Sequence, residues 1–200
     1  MAISGGVWGG ARRTACVAAL CVGCRSAAPT PIIAPAATPR QPTRVLPPDS
    51  VFVLEAWGAS PNDTVVTVSA QAGRVVILRH GPPDNTVFAQ LAVPPDSSAG
   101  ARDSLTLTIR PRPGLYGVDL ESTGRLGAGT TLTFKYPVHF SPPLAARDRY
   151  SSRAAFERAL GIGRVSDDGR IVLLPSTQPA SDNLEAEIPG PGRYLVAAPR

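Results

Sequence analysis

The sequence predicts an all-β protein, a β-sandwich of about eleven short strands with one short helix, and three observations predict it. Residues 130–141, TTLTFKYPVHFS, place Leu132, Phe134, Tyr136, Val138 and Phe140 on one side of a period-2 pattern and Thr131, Thr133, Lys135, Pro137 and His139 on the other. A pleated strand sends alternate side chains to opposite faces, so this is a long strand with one apolar face on a core. The 22 Pro and 19 Gly in 200 residues punctuate the chain into short segments, which favours turn-rich β structure over helical bundles. Turn signals recur at short spacing, including Ser60-Pro61-Asn62-Asp63, Gly81-Pro82-Pro83-Asp84-Asn85 and Pro189-Gly190-Pro191-Gly192, as in sandwiches and barrels.

The strands follow in order. Residues 51–57 form a first strand, and 64–70 alternate less cleanly. Residues 73–80, GRVVILRH, hold a Val-Val-Ile-Leu run expected to be buried. Residues 86–93 end at Pro94-Pro95; 104–110, SLTLTIR, alternate strictly with Leu105, Leu107 and Ile109 inward; 115–121 follow a Pro/Gly turn. Pro137 removes a ladder donor and places 130–141 at a sheet edge or at a break in pairing. Residues 151–160, SSRAAFERAL, are the one helix candidate, near 152–160, with Ser151 or Ser152 as its cap and Ala155, Phe156, Ala159 and Leu160 on one face. Short strands are expected at 162–165, 170–175, 184–188 and 193–197.

The N-terminus reads as an export signal. Residues 1–13 lack acids and end in Arg12-Arg13, then an apolar run of roughly ten residues ends at Cys24, too short to span a bilayer. Leu20-Cys21-Val22-Gly23-Cys24 resembles the bacterial lipobox, in which a small residue precedes a Cys that is lipidated and becomes the mature N-terminus; Cys21 stands where that pattern usually has Leu. The resemblance implies lipidation at Cys24 and a location in the bacterial cell envelope, in the outer membrane or periplasm. All three cysteines lie at or before this point, so the body has no thiol for a disulfide or metal. Residues 26–48 carry seven prolines, an extended spacer that reaches up to roughly 70 Å. The expected organisation is a signal peptide at 1–23, a Pro/Ala linker at 24–48, a sandwich at 49–143 and a helix-plus-strand module at 144–200 that packs on or extends it.

Charge and motifs exclude several functions. Setting aside Arg12 and Arg13 leaves 18 basic against 15 acidic residues, and no basic run is interleaved with aromatics, so no nucleic-acid partner is expected. His80 and His139 share no ligand spacing, Asp167-Asp168-Gly169 reads as a hairpin turn, and Asp119 and Glu121 read as a solvated face. No phosphate loop, dinucleotide fingerprint or nucleophile elbow occurs, so no cofactor and no metal are expected. Trp57, Tyr116, Tyr136, Tyr150 and Tyr194 are the aromatics available to a glycan surface.

Between residues 73 and 140 the order of motifs is Val93-Pro94-Pro95, the Thr-rich strand Leu105-Thr106-Leu107-Thr108-Ile109, a Gly-bearing turn, and Leu132-Thr133-Phe134-Lys135-Tyr136-Pro137-Val138. This resembles the sandwich domain shared by ankyrins, netrin receptors and tight-junction scaffolds, the ZU family. Asp168-Gly169, Leu174-Pro175-Ser176-Thr177, Asn183-Leu184-Glu185-Ala186 and Gly192-Arg193-Tyr194 resemble a strand module that often follows it. The resemblance implies binding or scaffolding. Some members cleave themselves at His-Phe-Ser, and His139-Phe140-Ser141 spells that tripeptide. Alternation turns His139 and Ser141 outward, and Pro142 follows. The expectation is therefore a non-catalytic, lipid-anchored envelope module that contacts the membrane through its anchor and an envelope protein or glycan through its body. The alternatives are autoproteolysis at Phe140-Ser141, which would release a fragment starting at Ser141, and a periplasmic carbohydrate-binding module.

Overall fold

Each of the eleven segments expected to be strands contains one, and all pair antiparallel. The computed structural model describes residues 42–100, 103–135 and 142–200. Among them are thirteen strands: β1 (Arg44–Leu46), β2 (Val51–Val53), β3 (Thr64–Ser69), β4 (Arg74–Arg79), β5 (Val87–Val93), β6 (Ser104–Pro111), β7 (Gly117–Ser122), β8 (Thr131–Lys135), β9 (Gly161–Val165), β10 (Ile171–Leu173), β11 (Ser176–Thr177), β12 (Asn183–Glu187) and β13 (Gly192–Pro199). A 3-10 turn at Pro48–Ser50, one helical turn, α1 (Leu144–Arg147), and one helix, α2 (Arg153–Ala159), complete the described elements. The first sheet runs β1-β10-β9-β13-β7-β6-β3, with β2 also on β13; the second runs β11-β12-β8-β5-β4. The body is thus all-β and sandwich-like.

The main core is what the two sheets turn toward each other. Val68, Leu105, Leu107, Ile109, Val118, Leu120, Tyr194, Val196 and Ala198 from the first sheet join Val76, Leu78, Ala89, Leu91, Val93, Leu132, Phe134, Leu184 and Ala186 from the second in one buried cluster. These are alternate positions on their strands, as period 2 requires. Phe88 and Ala89 are consecutive yet both buried. The β4–β5 register steps from Leu78↔Ala89 to Arg79↔Val87, so Phe88 is a bulge residue that can face the same core. The Ser152 hydroxyl accepts the Ala155 N–H at 3.1 Å and starts α2 where the capping signal lies. Phe156 and Leu160 enter the main core beside Tyr150 and Phe52.

Residues 144–200 complete both sheets. β13 bonds β9 on one side and β7 then β2 on the other, while β12 bonds β8. Tyr194 through Ala198 are buried without interruption, as expected of a strand covered on both faces.

The second cover is a small core of its own, formed by Val51, Ile171, Leu173, Leu195 and Ala197 with Leu46, Val53 and Val165 against them. In a flat sheet β1 and β2 would lie about 19 Å apart, four strand steps of ~4.8 Å. The five residue steps from Leu46 to Val51 reach at most ~18 Å, so this end of the sheet curls over its outer face. Gly163 lies inside the curl, because a Cβ there would sit 2.5 Å from Ile171 Cγ2.

Four expectations are corrected. The Pro-rich linker was expected to run to residue 48, but Arg44–Leu46 form β1 on β10; no proline falls between Pro42 and Pro47, so the donors there are intact. β11 is the other unexpected strand, only two residues long on β12. Of the two places expected for the strand near residue 130, an edge does not hold over residues 131–134, where β8 bonds β5 on one side and β12 on the other; the other, a break in pairing at Pro137, lies outside the described residues. The first strand stops at Val53, after which Leu54 donates to the Val196 carbonyl and Glu55 bridges Leu115.

Candidate functional site

The run Val75-Val76-Ile77-Leu78, expected to be buried throughout, is buried on one face only. Val76 and Leu78 are in the main core, while Val75 and Ile77 are 52% and 48% exposed. The cause is topological: β4 is the last strand of the second sheet, and among the described residues it pairs with β5 alone. Gly73 brings the chain into β4 at φ +65°, where a Cβ would lie 2.6 Å from the Val93 carbonyl oxygen, so the turn is pressed flat against Val93 to Pro95. The result is an open groove of about 330 Å³ lined by Ala72 to Val75, Ala92 to Pro95 and Gly129. It is continuous with the exposed row on β4 through Val75.

The outer face grades from apolar to acidic. Val75, Ala92, Thr131 and Glu187 form one row across successive strands, and Ile77, Gln90, Thr133 and Glu185 form the next. The Gly129 N–H donates to Glu187 and the Thr133 hydroxyl to Glu185, both at 2.9 Å. At the β4 end the charge is positive. Arg79 shares the outer face with Val75 and Ile77 and donates to the Asn85 carbonyl at 3.1 Å, while Arg74, on the face of Val76 and Leu78, reaches across to the first sheet and donates to the Thr67 carbonyl of β3 at 3.2 Å. A carbonyl partner fixes a guanidinium without neutralising it, and neither arginine has a carboxylate partner among the described residues.

Among the described residues, those singled out from sequence do not converge. Cys24, His139, Phe140 and Ser141 lie outside the described residues. His80 is buried just past β4, its Nδ1 3.3 Å from the Ala59 carbonyl and its ring edge-on to Phe88 at 5.1 Å. Its Nε2 and the nearby Thr86 hydroxyl are buried without a partner. Asp119 and Glu121 face outward on β7 opposite Arg112 and Arg110, and the Arg110 hydrogen bond and charge hold the Glu121 carboxyl below its ordinary range. Asp168 closes the β9–β10 hairpin, accepting from the Ser166 hydroxyl and the Arg170 N–H, with Gly169 at φ +81°. The described residues hold no group of three or more His, Cys, Asp or Glu able to bind a metal.

Among the described residues the aromatics form no shared exposed platform. Tyr116 and Tyr194 are buried, and burial pushes both phenols above their ordinary pKa. The Tyr150 hydroxyl donates to the Pro199 carbonyl, Tyr136 lies outside the described residues, and Trp57 alone is broadly exposed, at 83%. The surface that does converge, on β4 and its groove, was not marked by its own sequence. A Val-Val-Ile-Leu run looks the same in a buried strand and an edge strand, and only the pairing of β5 with β8 decides which it is. The chain matches no family model, no curated protein and no solved structure.

Proposed function

We propose that the protein is an exported, lipid-anchored, non-catalytic module of the bacterial cell envelope that engages a protein partner along β4. The observation that carries this reading is the open β4 edge with Val75 and Ile77 left in water beside an apolar groove. An exposed edge strand is a template for pairing, and a domain that keeps apolar side chains there pays in aggregation risk unless a partner uses them. The anchor follows from Cys24 at the end of the apolar run, and the prolines that follow supply the spacer.

Two measurements on the full chain in its membrane fraction test the reading. Intact mass should show a chain beginning at Cys24 with an acyl adduct; a chain that retains residues 1–23 removes the anchor. A photocrosslinking residue at position 77 should form a discrete adduct with another protein, and one at position 121, on the outer face of the first sheet, should not. Equal or absent crosslinking from the two positions removes the interaction surface.

A further inference from the structure

Resting on that reading of β4, we infer that its partner is an acidic extended segment of another protein, which adds as a strand to the β4 edge. The segment carries apolar side chains at alternate positions and a carboxylate toward each end. The backbone sets the mode: β4 runs six residues, Arg74–Arg79, with its outer edge unpaired among the described residues. An added strand would satisfy those amides and carbonyls. Its alternate side chains would lie beside Val75 and Ile77 on the outer face, and the groove bounded by Val75, Ala92, Pro94 and Gly129 would receive the next one along.

Charge sets the chemistry. Arg74 and Arg79 stand at the two ends of β4, about 17 Å apart along a strand. No acidic residue occurs on β3, β4 or β5. Their carbonyl contacts hold both guanidiniums near the edge with their charge uncompensated. A second copy of this chain pairing through β4 would gather four guanidiniums along one seam with no carboxylate on either strand, so a basic edge disfavours itself and favours an acidic strand.

The test uses the full chain in detergent and two short capped fluorescent peptides of alternating Val and Thr, one ending in Glu at both termini and the other in Lys. Fluorescence anisotropy should show saturable binding of the Glu-ended peptide and about tenfold weaker binding of the Lys-ended one, from two surface charge pairs. Ile77→Lys should abolish binding, and the Arg74→Glu/Arg79→Glu pair should reverse the peptide preference. N-methylation of the edge-facing amides should abolish binding if the peptide adds as a strand. Absence of saturable binding, equal binding of the two peptides, or binding indifferent to Ile77→Lys overturns the inference. So does a concentration-dependent dimer that Ile77→Lys dissolves, because a second copy would then hold the edge. If a variant does not fold, the two peptides on the unaltered chain still decide. Crosslinking from position 77 with failure of the Glu-ended peptide would leave β4 an interaction surface and overturn only the acidic chemistry.

Discussion

Adding a single methyl group at Gly163 should destabilise the protein, although Gly163 lies in an ordinary strand conformation where alanine is otherwise preferred. A Cβ at this position sits 2.5 Å from Ile171 Cγ2 and 3.4 Å from both Leu173 Cδ2 and Leu195 Cδ1. Carbon atoms pack best at about 3.5–4.0 Å, so Ile171 must withdraw by roughly 1 Å or more. It has little freedom to do so, because Ile171 is buried and β-branched, with few accessible χ1 rotamers. Overpacking of this kind costs about 1–3 kcal/mol. Loss of glycine's freedom in the unfolded chain offsets about 0.4–1 kcal/mol of that. The net expectation is a loss of about 1–2 kcal/mol, or roughly 2–8 °C in Tm for a chain of this size. A thermal melt by circular dichroism reads it. Ile171→Ala alone should cost about 2–5 kcal/mol, and in that background Gly163→Ala should cost nothing, a coupling of about 1 kcal/mol or more. If Gly163→Ala raises Tm, or if the two costs simply add, the curled sheet does not enclose a second core.

Other outcomes follow from the same packing. Gly73→Ala should cost more than Gly114→Ala in urea denaturation: both have positive φ, worth about 1–2 kcal/mol against alanine, but a Cβ at Gly73 meets the Val93 carbonyl and Pro95 nitrogen at 2.6 Å while one at Gly114 meets nothing within 4 Å. Stability should fall as pH rises past about 10, where the unfolded chain ionises its tyrosines and the buried Tyr116 and Tyr194 resist ionisation. The folded state then binds more protons than the unfolded one, which makes the slope of stability with pH negative. Tyr194→Phe should make that alkaline loss shallower in a melt series, and an unchanged slope would contradict the burial. Ser152→Ala, which removes the hydroxyl that accepts the Ala155 N–H, should cost about 1 kcal/mol.

Local chemistry made much of the body legible in the sequence. Alternation marked Leu105, Leu107 and Ile109 as inward, the pair Ser151-Ser152 marked the helix start, and Asp168-Gly169 marked a hairpin turn, because each is decided within a few residues. What stayed hidden was decided by pairing across the chain. The second core joins Leu46 and Val51 to Leu195 and Ala197, and no window of sequence holds both ends. β1 was hidden because its neighbours in sequence are prolines while its neighbours in space are Ile171 to Leu173. The exposure of Val75 and Ile77 depends on β4 being last in its sheet, which nothing between Arg74 and Arg79 encodes.

Strand β4 is an open edge among the described residues, while β8 inside the same sheet is bonded on both sides. Residue-resolved amide hydrogen exchange on the full chain without partner tests this most directly. Alternate amides between Arg74 and Arg79, those turned away from β5, should exchange quickly. Their neighbours bonded to β5 should be slow, and the amides of Thr131 to Phe134, paired on both sides, should all be protected. Uniform protection along β4 would mean that its edge is already covered, and the interaction surface proposed here would not exist.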